Sequence, residues 1–150
     1  MFETIVFTGL QACGKSSFYQ WKFSNTHLRL NLDMLKTRNR EKILLEACLK
    51  AKQNFVVDNT NPTKEARAKY ISAAKEHGFK VIGYYFQSNI QDCLRRNATR
   101  EGRQRIPDPG IRGTASKMVV PSYSEGYDEL YYVVMDEAEG FKVSEWADEV

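Results

Sequence analysis

Residues Gly9-Leu10-Gln11-Ala12-Cys13-Gly14-Lys15-Ser16 carry the spacing G-x-x-x-x-G-K-[ST], and their types suit a polyphosphate. Glycines at 9 and 14 let backbone N–H groups close around an anion and allow positive φ where the loop turns. Lys15 is a point charge for β- and γ-phosphates. The Ser16 hydroxyl, with Ser17 beside it, offers an oxygen to Mg²⁺. Such a loop needs a strand before it and a helix after it. Thr4 to Thr8 is a short apolar run, and the residues after Ser16 read as a first helical turn whose N-terminus adds roughly half a positive charge. A glycine-containing turn that binds nothing is the competing reading, and this strand-to-helix context favours phosphate.

Asp33 follows a second short strand, His27 to Asn31, where a kinase acting on a hydroxyl needs a carboxylate to take the proton. The alternative is an N-cap for the helix that starts there. Lys36 stands one turn after Asp33, and Arg38 and Arg40 follow, a basic cluster suited to an acceptor that carries its own phosphate; a solvated face has the same composition. Asp58 closes the apolar run Phe55-Val56-Val57 and is placed to hold Mg²⁺ directly, or to bond Ser16 and a metal-bound water; it could instead cap the next helix. Arg67, a few residues into that helix, reads as a surface residue. Residues 95–105 hold five arginines against one acid. In a continuous helix Arg96 and Arg100 are like-charged i,i+4 neighbours, which a purely structural role does not call for. The Gly/Pro-rich stretch that follows makes 95–113 a mobile lid in this reading, its arginines neutralising charge during transfer. A solvated basic face is again the alternative.

These residues need a framework with the strand ends on one edge. The pattern predicts helix from Asp33 to about Lys52, with Leu35, Ile43, Leu44, Ala47 and Ala51 on its apolar side. A further helix ends near His77 before Gly78, a strand covers Lys80 to Phe86, and helix runs from Asn89 to about Glu101. A short helical piece lies around Ile111 to Met118, and Leu130 to Met135 is the last clear strand, followed by a polar tail with Phe141, Val143 and Trp146 as anchors. Alternating strands and helices give an α/β fold: a three-layer αβα sandwich with a mostly parallel sheet, of the kinase-type P-loop NTPase kind. Its ligand edge is where the strands end.

At 150 residues the expectation is one domain burying about two-thirds of its unfolded surface. A hydrophobic fraction of 42% and a charged fraction of 27% are ordinary for a globular chain, and no apolar run approaches a membrane span. The three cysteines suit neither a disulfide framework nor a thiolate zinc site, and the expected compartment is the cytoplasm. Cys48 and Cys93 read as core. Cys13, inside the phosphate loop, has the helix dipole and Lys15 placed to lower its pKa. The net charge of +3 does not by itself announce a nucleic-acid partner.

The chain resembles the kinase domain of the 5′-polynucleotide kinase family, the phage and animal end-healing enzymes. The matching blocks are Gly9 to Ser16, Asn31-Leu32-Asp33, Val56-Val57-Asp58-Asn59-Thr60-Asn61-Pro62, Arg96-Asn97 with Arg100, and Ile106-Pro107, with Pro121 and Glu125-Gly126-Tyr127 similar to the animal type. The resemblance implies transfer of the γ-phosphate of ATP, with Mg²⁺, to a 5′-hydroxyl end of RNA or DNA. It makes Asp33 the general base, Lys15 and Ser16 nucleotide and metal ligands, and Arg100 the lid arginine. Lys36 stands where the phage enzyme has an arginine that grips the phosphate beside the acceptor sugar, and a lysine cannot make that two-pronged contact. Two other functions use the same loop: a small-molecule kinase acting on a nucleoside, sugar or antibiotic hydroxyl, and a non-enzymatic nucleotide switch. The switch is disfavoured because Asp58-Asn59-Thr60-Asn61 has no glutamine to orient water.

Overall fold

The structure is a computed structural model that describes the chain except residues 103, 104, 137, 139 and 148–150. Arg103 and Gln104 of the arginine-rich stretch therefore lie outside the described residues. Among those described, no helix is long and apolar enough to cross a membrane.

In chain order the elements are β1 (Glu3–Thr8), α1 (Lys15–Lys22), β2 (Leu28–Leu30), α2 (Leu32–Leu35), α3 (Arg38–Ala51), β3 (Phe55–Val57), α4 (Lys64–Glu76), β4 (Lys80–Phe86), α5 (Ile90–Ala98), α6 (Asp108–Lys117), β5 (Glu129–Asp136) and β6 (Gly140–Glu145). A 3₁₀ turn over Tyr123–Glu125 precedes β5. The six strands form one sheet in the order β2-β3-β1-β4-β5-β6. The first five run parallel, with Ile5 opposite both Val56 and Ile82, and β6 returns antiparallel along β5. The mostly parallel αβα sandwich expected from the alternation is what forms.

Parallel strands covered by helices on both faces are apolar along their whole length, and β1 and β3 follow that rule, every residue from Thr4 to Thr8 and from Phe55 to Val57 being buried. The pleat sends Ile5 and Phe7 to one face and Val6 to the other. Ile5 and Phe7 pack with Phe18 of α1, Cys93 of α5 and Ile111 of α6. Val6 packs with Leu49 of α3 and with Tyr70, Ile71 and Ala74 of α4. Phe7, Phe18 and Phe86 make edge-to-face contacts, with centroids 4.9 Å apart for Phe7–Phe86 and 5.3 Å for Phe18–Phe86. They seat α1, and with it the phosphate loop, on the sheet. At Gly83 of β4 a Cβ would come within 2.5 Å of the Tyr127 ring, so only glycine admits that aromatic.

The structure departs from the sequence reading in five places. First, the predicted single helix from Asp33 to Lys52 is two: α2 stops at Lys36, whose φ of 76° is left-handed, and α3 restarts with the Thr37 hydroxyl accepting from the Arg40 N–H. Second, Ile43, Leu44, Ala47 and Ala51 are exposed, and the inward stripe of α3 is Glu41, Leu45, Cys48 and Leu49. A buried glutamate holds one core position, which hides the stripe from a count of apolar residues. Third, α5 ends at Ala98, so Arg100 lies beyond the helix, and α6 begins at Asp108, ahead of the predicted Ile111. Fourth, the polar tail contains β6, with Phe141 and Trp146 packed against the core and Val143 exposed.

The fifth departure is Arg67, which is fully buried. Its Nε and Nη2 donate to the two Glu125 carboxylate oxygens at 2.8 and 3.1 Å, and its Nη1 donates to the carbonyls of Asn61 and Val119 at 3.0 and 2.9 Å. Glu125 also accepts from the Ser122 N–H. This fork ties α4 to the segment that leads into β5. Arg67→Met leaves a buried carboxylate without its partner and should cost about 3–5 kcal/mol. Urea unfolding measures this, and a loss below about 1 kcal/mol would mean that the pair does not hold the two segments together.

All three cysteines are free and buried. Burial pushes the Cys13 thiol above its ordinary range, and the nearby Lys15 ammonium does not reverse this. The expected lowering at that position is therefore corrected. Burial likewise pushes Cys93 up to about 11. Since the thiolate is the reactive form, the native protein should label very slowly with a thiol reagent near neutral pH and expose three thiols only on unfolding. Rapid native-state labelling of Cys13 would contradict this.

Candidate active site

The phosphate loop joins β1 to α1 at the C-terminal edge of the sheet. Gly14 is the N-cap residue of α1 with φ 96°, and no acidic residue stands in the helix's first turn, so the positive helix end is left to attract an anion. A Cβ on Gly14 would come within 2.9 Å of Met135 Sδ, the end of a flexible side chain, so it is the positive φ that calls for glycine there. Lys15 is folded under the loop, its Nζ donating to the carbonyls of Gly9 at 3.0 Å and Leu10 at 2.7 Å. The ammonium is thus stored at the centre of the curve a phosphate would follow. Ser17 is exposed beside it.

The end of β3 comes next to this loop. Asp58 is buried, and its Oδ2 accepts from Ser16 Oγ at 3.1 Å. The contact expected between the second acidic strand and the loop is present, and Thr63, rather than Asp58, caps α4. A hydroxyl and a carboxylate are hard oxygen donors, a set that suits Mg²⁺ completed by water and phosphate oxygens. Arg29 of β2 shares both groups, with Nε 2.8 Å from Asp58 Oδ2 and Nη2 2.7 Å from Ser16 Oγ. Sequence reasoning missed Arg29. Its signal was the pleat, since residues 29 and 31 of an extended strand face the same way.

Asn31, Asn59 and Glu41 were also missed as site residues, and together they position Asp33. Asn31 donates to the Asp58 carbonyl at 2.6 Å and caps α2 by accepting from the Met34 N–H at 3.0 Å. The cap is therefore Asn31, and Asp33 is exposed and not engaged in capping. Asn59 accepts from the Leu32 N–H at 3.0 Å and donates to buried Glu41 at 3.0 Å. Glu41 in turn accepts from Tyr70 OH at 2.8 Å; burial, then that bond, raise the phenol far above its ordinary range. Asn61, at φ 43°, donates to the Phe7 carbonyl, and the Gly9 N–H donates to that of Thr60. The block 58–61 is thereby stitched to the loop, to β1 and to the start of α2.

The basic residues separate. Lys36 is exposed at the end of α2 with its left-handed backbone, so it does not share a continuous helix face with Asp33. Arg38 donates to Glu41 at 3.2 Å and Tyr70 at 3.4 Å, and Arg40 to the Leu35 carbonyl at 3.2 Å. Arg96 lies in the last turn of α5, with Arg100 just beyond. Cys93 of α5 and Cys13 of the loop belong to one buried cluster, which seats this helix against the phosphate loop. Fully buried Asn97 closes the segment that follows, donating to the Ile106 carbonyl at 2.5 Å and accepting from the Ile106 N–H at 2.9 Å. Gln11 of the loop donates to Thr114 of α6 at 3.0 Å.

Comparison with known proteins places the chain by sequence and by fold. A bifunctional polynucleotide phosphatase/kinase from Schizosaccharomyces pombe is 29% identical over 133 residues, 85% of this chain and 32% of that protein. A putative bifunctional polynucleotide phosphatase/kinase from Acanthamoeba polyphaga mimivirus is 25% identical over 135 residues, with the same two shares of 85% and 32%. The chain thus spans about a third of the length of these relatives. Among solved structures, Chaetomium thermophilum Kti12 in complex with ADP-AlF3 superposes with a TM-score of 0.67 at 17% identity, covering 90% of this chain and 92% of that one. A gluconokinase from Sinorhizobium meliloti gives 0.61 at 16%, covering 88% and 82%. Both likenesses are of fold. The family model described as an AAA domain matches residues 5–118, a span that runs from β1 through the phosphate loop, Asp58 and the arginine-rich segment, and the chain belongs to that family, with the P-loop kinase fold.

Proposed function

We propose that this chain is an ATP-dependent phosphotransferase that moves the γ-phosphate of ATP to the 5′-hydroxyl end of an RNA or DNA strand. One observation carries the reading: a hydrogen-bonded line runs from the phosphate loop to the candidate base. Ser16 bonds the Asp58 carboxylate, the Asp58 carbonyl accepts from Asn31, and Asn31 caps the short helix that carries Asp33. The polynucleotide kinases similar to this chain over most of its length support the acceptor class.

In this reading the loop N–H groups and Lys15 hold the phosphates, Lys15 exchanging the Gly9 and Leu10 carbonyls for phosphate oxygens. Mg²⁺, when bound, neutralises charge on those oxygens, and Ser16 and Asp58 are its protein ligands, Asp58 directly or through water. Asp33 takes the proton of the attacking hydroxyl; a carboxylate is a weak base, which a loose transition state tolerates because positioning outweighs basicity. Arg96 and Arg100 offset the charge that develops on the transferring group. Lys36 and Arg38 meet the phosphate on the 3′ side of the acceptor nucleoside. Arg38 reaches it only by leaving Glu41 and Tyr70, which makes exposed Lys36 the first contact.

Asp33→Ala should abolish transfer to a 5′-hydroxyl oligonucleotide while ATP affinity stays within about threefold of the parent, because the residue serves the acceptor alone. Calorimetric ATP titration beside a radiolabel transfer assay separates the two. Equal loss of ATP binding in a folded variant would remove Asp33 from the base role.

Acceptor choice supplies the second test. Binding at the neighbouring phosphate orients the hydroxyl, so a nucleoside 3′-phosphate or short 5′-hydroxyl oligonucleotide should exceed the bare nucleoside in kcat/KM by on the order of tenfold or more. Lys36→Ala and added salt should both narrow that gap. Equal kcat/KM for nucleoside and oligonucleotide would overturn the polynucleotide reading in favour of a small-molecule kinase.

A further inference from the structure

Arg29 occupies the position a divalent cation would take. Its Nε and Nη2 bond Asp58 Oδ2 and Ser16 Oγ at 2.8 and 2.7 Å, and those two oxygens are themselves 3.1 Å apart. The Ser16 proton is directed to Asp58, and Arg29 donates to one of the two lone pairs left on Oγ. A magnesium ion on the same hydroxyl would stand at about 2.0–2.1 Å from it. It would then stand against the guanidinium, two positive charges a few ångströms apart around one buried carboxylate. That repulsion sets the cation and the guanidinium in competition for the pair.

We infer that Arg29 is a placeholder cation: it satisfies the Ser16–Asp58 pair in the nucleotide-free protein and is displaced when Mg²⁺ arrives with the nucleotide. This rests on the assignment of Ser16 and Asp58 as metal ligands. Two features of the surroundings fit an exchange. Asp58 is almost wholly buried, so with neither cation its charge would be left uncompensated, a costly state. Arg29 itself lies on the edge strand β2 with its side chain 26% exposed, and its guanidinium carbon is 5.8 Å from the Tyr19 ring centroid. That contact with the aromatic face is made alongside the two hydrogen bonds and does not depend on them. Arginine suits this role because its planar fork reaches the two oxygens through two separate nitrogens in fixed directions, whereas lysine offers a single ammonium. The consequence is a magnesium threshold, since metal binding must replace existing bonds.

Binding without turnover tests this. Fluorescent ADP is titrated with MgCl₂ against the parent protein, Arg29→Met and Arg29→Lys, and thermal unfolding is followed in EDTA and in Mg²⁺. Arg29→Met should reach half-saturation at a Mg²⁺ concentration at least about tenfold lower, the factor that one of its two lost charge-assisted hydrogen bonds alone represents. Its Tm in EDTA should fall by about 3 °C or more, and Mg²⁺ should restore it while leaving the parent nearly unchanged. Arg29→Lys should fall between the two. An unchanged Mg²⁺ requirement would overturn the inference. So would a loss of ADP affinity as large in EDTA as in Mg²⁺, which would make Arg29 a phosphate ligand. If the parent bound no nucleotide under either condition, the kinase reading would fail by itself. The thermal comparison would still decide Arg29, because Mg²⁺ that raises the Tm of Arg29→Met no more than that of the parent overturns the placeholder.

Discussion

The interaction on which this structure turns is the set of bonds around the buried carboxylate of Asp58. Its backbone N–H donates to Leu30 of β2, its carbonyl accepts from Asn31, and its side chain holds Ser16 of α1 and Arg29. One residue at the end of a three-residue strand therefore fixes β2, α1 and α2 relative to one another. β2 is as short as β3, sits at the sheet edge and pairs on one side only, so its ladder alone is a weak anchor. The polar bonds above it complete the attachment. Placing a carboxylate there has a condition, because a buried charge needs partners, and Ser16 and Arg29 supply them.

From that point the network passes outward through amides rather than charges. Asn59 links the Leu32 N–H to Glu41, and Glu41 is held by Tyr70 from the opposite helix. Asp33 thus rests on a helix of only four residues whose N-terminus is held at both Asn31 and Asn59. A helix that short has no stability of its own, so its direction is set by those two bonds. The left-handed residue Lys36 then separates it from α3, which leaves α2 free to follow the strand ends while α3 follows the core.

The parts of the molecule that were legible in the sequence share a physical cause. Thr4 to Thr8, Phe55 to Val57 and Lys80 to Phe86 are strands of a covered parallel sheet, and continuous apolar runs report that directly. The phosphate loop was legible from its G-x-x-x-x-G-K-[ST] spacing between strand and helix, and the place of Asp58 from the apolar run that it closes. What escaped were positions where a polar residue does a core residue's work. Glu41 lies in the inward stripe of α3, and Arg67, Tyr70, Ile71 and Ala74 are spaced i, i+3, i+4, i+7 and are all buried, so the periodicity did mark Arg67 as inward although its charge suggested the surface. β6 was missed because the consecutive residues Lys142, Val143, Ser144 and Glu145 are all exposed, and since neighbours on a strand point to opposite faces neither face is covered along that stretch. The break at Lys36 carries neither glycine nor proline; its one mark was Thr37, a residue type common at N-caps.

The arginine-rich segment shows the same economy of anchoring. Asn97 grips both backbone groups of Ile106, and Ile106 itself packs against the buried cluster that contains Ile111 of α6. Gln11 ties α6 back to the phosphate loop through Thr114, while its own Oε1 is buried without a hydrogen-bond donor among the described residues. Asn97 and Ile106 are thereby fixed to each other at the two ends of the arginine-rich segment, beside the buried cluster that also holds Cys13 of the phosphate loop. The link from Gln11 adds the phosphate loop to the same frame, so that α5, α6 and the loop are held together by one buried cluster and by side-chain bonds at its rim.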